Sequence, residues 1–278
     1  MILVLGSTGK IGRELVPALL DKGARVRALT RDPARARLDP RAEVAACDLD
    51  AFDPALLDGV DRVFILTSGH GSDVLAQERA VVKAATGVER LVKLSTTGVH
   101  FGQTDPISSI HAAAEQAVRE AGPDWTILRP GTFMDNRFAW LPAVRGDGVI
   151  RVPESDPASA LVHVRDIAEV AATVLTTDGH AGKTYPITGG EALTTRRQVE
   201  ILGEALGRRL TYVEEPEADA RARMLGYGWP ASAVDGFFEL KRQSAGNEEI
   251  VFDTVRELLG RAPLTFAEWA GEHAATFA

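Results

Sequence analysis

"ILVLGSTGKIG", residues 2–12, decides the fold: a short apolar run meets glycines at positions 6, 9 and 12 and leads into an amphipathic stretch. In that stretch Ile11, Leu15 and Leu19 recur at i, i+4 and i+8, one apolar helical stripe that Gly23 ends. Strand, glycine turn and helix open a βαβ unit. Its first glycine permits the tight turn, its second lets a pyrophosphate approach the backbone, and its third packs helix close to strand. A helix beginning near Lys10 aims its free N–H groups and positive dipole end at the anion. Three glycines alone also suit a plain turn; the strand before and the helix and second strand after supply the context that phosphate binding needs.

Further apolar runs follow at 25–30, 43–47, 62–67, 90–95 and 125–129, alternating with helical patterns. Near-continuous apolar strands suit a parallel sheet covered on both faces, so the fold class is α/β, a Rossmann-type doubly wound parallel sheet. Regular alternation stops after Gly131. Residues 164–175 read as a helix, 183–188 as a strand returning to the sheet, and 194–206 as another helix, with "GYGWP" at 226–230 as a break. The expected organisation is a nucleotide-binding domain over 1–150 and a smaller, mostly helical substrate-covering region over 151–278.

The end of the second strand selects the dinucleotide. An acidic residue about 20 positions past the glycines suits the ribose 2′-hydroxyl of NAD, and an arginine suits the 2′-phosphate of NADP. Arg31 stands 19 positions beyond Gly12, at the start of "RDPARARLDPR", which carries four arginines against two aspartates. NADP(H) is therefore the expected cofactor, with Arg35, Arg37 and Arg41 on a solvated face. Asp48 and Leu49 follow the third strand, where the adenine would lie, and Asp48 equally suits a turn cap. Thr67 and Ser68 follow the fourth strand, beneath the nicotinamide half or as plain loop residues.

Composition narrows the partners. A formal charge of −8 leaves no basic footprint for nucleic acid or anionic membrane. Cys47 is the sole cysteine, which suits a reducing cytoplasm. The opening run lacks a cationic leader, and no later run approaches the roughly 20 apolar residues of a membrane span. A soluble cytoplasmic protein acting on small molecules is expected, and assembly as a homodimer is left open.

Across most of its length the chain resembles the NmrA-like family of atypical short-chain dehydrogenases/reductases, which includes quinone, triphenylmethane and ergot-alkaloid-type reductases. The matching stretches are "ILVLGSTGKIG", "ALTRDP", "CDLDAFDPALLDGVDRVFILT", "LVKLSTTGV", "GPDWTILRPGTFMDN", "LVHVRDIAEVAATVL" and "GHAGKTYPITGGEALT". The resemblance implies that Gly6, Thr8, Gly9, Lys10, Ile11 and Arg31 hold the NADP phosphates and that Pro130, Gly131 and Phe133 border the nicotinamide.

Ordinary members of the wider superfamily use a Tyr-x-x-x-Lys helix as proton donor. The tyrosines here are Tyr185, Tyr212 and Tyr227, and no lysine occurs in the helix read over 108–122. That helix instead places His111 and Glu115 on one face. Positioned proton transfer contributes about 10²–10⁴ in rate, so hydride transfer to an electron-poor conjugated acceptor (a quinone, an iminium ion or similar) is expected over ketone reduction. His111 is the candidate proton donor or substrate anchor, with helix-start packing as its alternative. Ser95, at the end of the fifth strand, is the second catalytic candidate, with a backbone bond as its alternative. Met134, Phe138, Trp140 and Trp229 are candidate substrate contacts, although aromatic clusters are usually core. His163 and Asp166 read as structural, and no metal site is expected. The rival to an enzyme is an NADP(H)-sensing regulator that binds a protein partner; a nucleotide-sugar epimerase is a distant third.

Overall fold

The computed structural model describes residues 1–67, 74–154 and 157–278. Ser68, nominated for the nicotinamide side, lies outside them.

In chain order the strands are β1 (Ile2–Val4), β2 (Val26–Thr30), β3 (Glu43–Ala46), β4 (Arg62–Ile65), β5 (Arg90–Leu94), β6 (Asp124–Pro130), β7 (Val149–Pro153), β8 (Lys183–Ile187) and β9 (Thr211–Glu215). The helices begin with α1 (Lys10–Asp21), α2 (Val74–Ala84), α3 (Thr97–His100), α4 (Pro106–Glu120) and α5 (Leu141–Arg145). They continue with α6 (Val164–Thr176), α7 (Thr195–Ala205), α8 (Glu217–Gly226), α9 (Ala231–Ser244), α10 (Thr254–Leu259) and α11 (Phe266–Phe277).

Two compact units result. The first comprises Met1–Pro130, Val164–Ile187 and Thr254–Arg261; the second comprises Gly131–His163, Thr188–Asp253 and Ala262–Ala278. The single boundary expected at residue 150 gives way to several crossings. The reason is that α6 packs on α1 and β8 pairs with β6, so both belong to the nucleotide-binding layer.

The first unit is built on a seven-stranded parallel sheet of order β3-β2-β1-β4-β5-β6-β8. Strand order reverses between β1 and β4, and in open α/β sheets ligands bind at the carboxyl ends of the strands flanking such a reversal. Leu3, Leu5, Val63, Ile65 and Leu91 are fully buried in one core cluster, as apolar runs covered on both faces require. At the opposite edge, Arg62 donates to the Leu175 carbonyl at 2.6 Å, and Arg90 to those of Val174 and Thr177 at 2.8 and 2.7 Å. These bonds satisfy carbonyls that the end of α6 leaves without partners. Strand β8 closes the sheet on one side; it contains Pro186, whose carbonyl accepts the Thr254 hydroxyl at 2.6 Å.

The second unit has its own core, in which Val144, Leu202, Phe266, Trp269 and Phe277 are almost completely buried. It contains two strands the sequence reading missed: β7 and β9 form a separate parallel pair, so the region after residue 206 is less helical than expected. Thr211–Glu215 is mostly exposed and carries two glutamates, which weakens its period-2 signal.

Candidate active site

The glycine turn forms a cradle. Gly6 has φ +66°, and a Cβ there would stand 2.9 Å from the Leu66 carbonyl oxygen just beyond β4. A Cβ on Gly12 would press into the Gly6 carbonyl and lie 2.5 Å from the Ser7 Cα. Gly9 occupies the N-cap of α1, so no capping side chain takes up the N–H groups of the first turn. Ile11 is buried and can present only its backbone, whereas Thr8 is half-buried and Lys10 exposed. Glycine at positions 6 and 12 thus lets the turn close tightly on the chain beyond β4 and on α1, where any side chain would strike backbone, and a dinucleotide phosphate fits the uncapped, positive helix end that the turn presents.

The loop is fastened to the second strand by Ser7, whose hydroxyl donates to the Leu29 carbonyl at 2.6 Å. Two residues past Leu29 stands Arg31, exposed, with no hydrogen bond or ion pair to any described residue. Its neighbours differ. Arg41 is clamped by Asp39 and Asp21 at 2.7 and 2.8 Å, and Arg35 faces Asp32 at 3.8 Å. Asp48 caps the following turn by accepting the Asp50 N–H at 3.1 Å, and Leu49 packs into the core of this unit.

A buried polar network occupies the next strands along. Thr67 is 7% exposed and gives its hydroxyl hydrogen to Glu78 of α2 at 2.8 Å, so its side chain is engaged inside the protein. Glu78 also accepts from Lys93 of β5 at 2.9 Å, and Lys93 is completely buried. Burial pushes the Lys93 ammonium down, and Glu78 works against that shift. Lys93 further donates to the Leu94 carbonyl and lies 3.3 Å from His111 Nδ1 on α4. Burial, with the Lys93 charge beside it, lowers the His111 pKa to about 4, against opposing pulls from Glu115 and Asp105. His111 is therefore neutral at pH 7, and donation of its own proton as an imidazolium is not available there.

Ser95 takes a different part from the one expected. It is 4% exposed, and its hydroxyl donates to Glu115 at 2.5 Å. Arg129 binds the same carboxylate through two bonds of 2.8 and 2.6 Å, and Arg119 adds a third guanidinium contact at 2.7 Å. Burial pushes the Glu115 carboxyl up, but the hydrogen bonds from Arg129, Ser95 and Arg119 prevail and leave it below its ordinary value. With its hydrogen committed to a carboxylate, Ser95 ties β5 to α4 and β6 instead of facing a reactant.

The sequence reading did not single out Lys93. The signal was present: a lysine midway through "RLVKLS", a strand expected to be covered on both faces, has no route to water and demands a carboxylate partner.

The remaining nominees lie at the end of β6 and in the second unit. Pro130 is the last residue of β6 and is buried. After Gly131, Phe133 bridges to Val162 and stays partly exposed. Met134 is 2% exposed in the second core, and the Phe138 ring stacks on Phe277 with centroids 5.7 Å apart. Met134 thus lies inside this core and Phe138 packs against it while staying partly exposed. Trp140 packs beside that core with the Arg137 guanidinium over its ring, and Trp229 is exposed in the turn between α8 and α9. A concavity of about 580 Å³ in this unit is lined by Arg196, Glu200, Arg208 and Tyr212, and by none of the four nominated side chains. Asp166 pairs with Arg261 at 2.7 Å.

No described helix is long and apolar enough to cross a membrane. Residues 6–178 match the model of an NAD(P)H-binding family. The whole chain is 40% identical to a (4-alkanoyl-5-oxo-2,5-dihydrofuran-3-yl)methyl phosphate reductase of Streptomyces griseus, over 99% of that protein. It is also 37% identical, at full coverage of this chain and 99% of the other, to an NAD(P)H azoreductase of Xenophilus azovorans. Among solved structures, the NADPH-dependent quinone oxidoreductase of Escherichia coli complexed with NADPH superposes with TM-score 0.85 at 27% identity, covering 98% of this chain and 99% of that one. The chain belongs to the NAD(P)H-binding family, as an oxidoreductase of the NmrA-like group of atypical short-chain dehydrogenases/reductases.

Proposed function

We propose that the protein is an NADPH-dependent reductase of electron-poor conjugated acceptors, with Gly6, Thr8, Gly9, Lys10, Ile11 and Gly12 around the pyrophosphate and Arg31 on the 2′-phosphate. The observation that carries the cofactor half is the Arg31 guanidinium, paired with no described residue, directly after β2, the strand that pairs with β1 and so with the chain entering the uncapped start of α1. A charge-assisted hydrogen bond contributes about 1.5–3 kcal/mol. Arg31→Ala therefore weakens NADPH binding about 10- to 100-fold and leaves NADH binding nearly unchanged, which titration calorimetry with both coenzymes reads directly. Equal losses for the two coenzymes would refute the assignment.

The acceptor half rests on what relatives act on and on which proton donors are at hand. A 4-alkanoyl-5-oxo-2,5-dihydrofuran, an azo group and a quinone are all conjugated and electron-poor. NADPH, when bound, supplies a hydride. Addition to the ring double bond of such a furanone leaves the charge on an enolate shared by two carbonyls, an anion stable enough to pick up a proton from water. The protein's task is then to orient the acceptor and to place a hydrogen-bond donor at the oxygen that gains charge. His111 supplies it: partly exposed, neutral at pH 7, and with Nε2 bonded to no described residue. Tyr185 does not compete for that role, since its hydroxyl is bound to His180 Nδ1 at 2.8 Å.

A test follows from acceptor chemistry. His111→Ala should lower kcat about 10- to 100-fold on quinones and acyl-furanones, where charge collects on oxygen, below the usual range for a fully enclosed donor. It should barely change the rate on a triarylmethyl cation, which hydride alone neutralises. Equal loss on both classes, measured as NADPH oxidation, would remove His111 from the oxygen.

A further inference from the structure

Three acceptors surround Lys93 Nζ. They are Glu78 Oε1 at 2.9 Å, the Leu94 carbonyl oxygen and His111 Nδ1 at 3.3 Å. An ammonium carries three hydrogens and accepts nothing, so each acceptor takes one. That count fixes the imidazole. If Nδ1 carried a hydrogen, it would face an N–H of Lys93, and the hydrogen of the fully buried Lys93 ammonium would be left unsatisfied.

We propose that Lys93 is the positioning residue of this site: by donating into His111 Nδ1 it holds the imidazole proton on Nε2, the edge offered to the acceptor. The proposal rests on the role given to His111 above and extends it to a residue that touches no reactant. Glu78 completes the device by keeping Lys93 an ammonium, and Thr67 holds Glu78 from its other side at 2.8 Å. The chain of parts thus runs from the end of β4 through α2 and β5 to α4, with each member bonded to the next.

The charged groups facing His111 are few and of both signs. Lys93 approaches from β5 with Glu78 of α2 behind it, while Glu115 and Asp105 act from its own helix and its cap. Arg129 of β6 neutralises Glu115 at 2.6 Å and also faces His100 of α3. Lys93 is the cation in direct contact, so its removal should be felt most.

Nitrogen-15 NMR of histidine-labelled full-length protein tests this with no acceptor present, so its result is separate from the fate of the proposed reaction. The His111 signals are assigned by their loss in His111→Gln. In the wild type they should show the Nε2-protonated neutral form from pH 8 down to about 5, with the midpoint near 4. In Lys93→Met the midpoint should rise by at least one pH unit and the two tautomers should mix. Because that variant strands the Glu78 carboxylate, which itself favours the imidazolium, the neutral pair Lys93→Met with Glu78→Gln is measured beside it and should give a smaller but definite rise in a stably folded chain. Lys93→Arg, which keeps a cation at the position, should hold the midpoint lower than either. An Nδ1-protonated ring in the wild type, a wild-type midpoint near 6.5, or a midpoint unmoved in the neutral pair would each overturn the proposal.

Discussion

Gly12→Ala should abolish measurable NADPH binding, a loss of at least 100-fold or about 2.7 kcal/mol. The new methyl group has no room: it meets the Gly6 carbonyl and the Ser7 Cα, both backbone atoms that cannot rotate away. Either α1 retreats from the turn or the turn flattens, and in both cases the N–H groups of the helix start leave the phosphate position. Overpacking of this kind costs about 1–3 kcal/mol in stability as well. Gly236→Ala is the control. It lies within α9 with nothing within 4 Å of the added carbon, so it should bind NADPH normally and be as stable as the wild type or slightly more so. Calorimetric titration and thermal unfolding of both variants suffice, and retention of tight binding by Gly12→Ala would contradict the cradle.

Glu78→Ala should be the most destabilising of the polar substitutions. It leaves the Lys93 ammonium, 0% exposed, without the carboxylate that compensates it, and breaking one side of a buried pair costs about 3–5 kcal/mol. For a chain of this size each kcal/mol lowers Tm by roughly 2–4 °C. A fall of about 6–20 °C at pH 7 is therefore expected. Replacing both partners by uncharged residues of similar volume should recover most of it, because the cost lies in the stranded charge and not in the loss of the pair. A change in Tm of under 2 °C for Glu78→Ala would mean that Lys93 sheds its proton when left alone.

The sheet was legible because its strands obey one simple rule. Runs such as Arg62–Ile65 and Arg90–Leu94 are apolar enough to be covered on both faces, and each ends near the edge where ligands bind. Gly6, Gly12 and Arg31 were legible for a related reason: their roles depend on sequence spacing within one βαβ unit, which the chain carries in order. Lys93, Glu78 and His111 form a group through three separate elements, and no spacing along the chain announces a contact made across strands and helices. The packing of Met134 and Phe138 on the second core was not legible, because hydrophobicity says that a side chain will be covered, not by what. Strand β9 was missed since its glutamates leave it polar, and it is held by pairing to β7.

Pro186 sets a limit on how the first unit can meet other chains. A flank strand normally displays a ladder of spare amide groups on which a stray extended peptide can dock. Here the ladder has a missing rung, for proline brings no N–H, and its oxygen is already occupied by Thr254. Extension of the sheet by a foreign segment is interrupted midway along that flank, which guards a long parallel assembly against fibril-like growth while the protein is crowded with its neighbours.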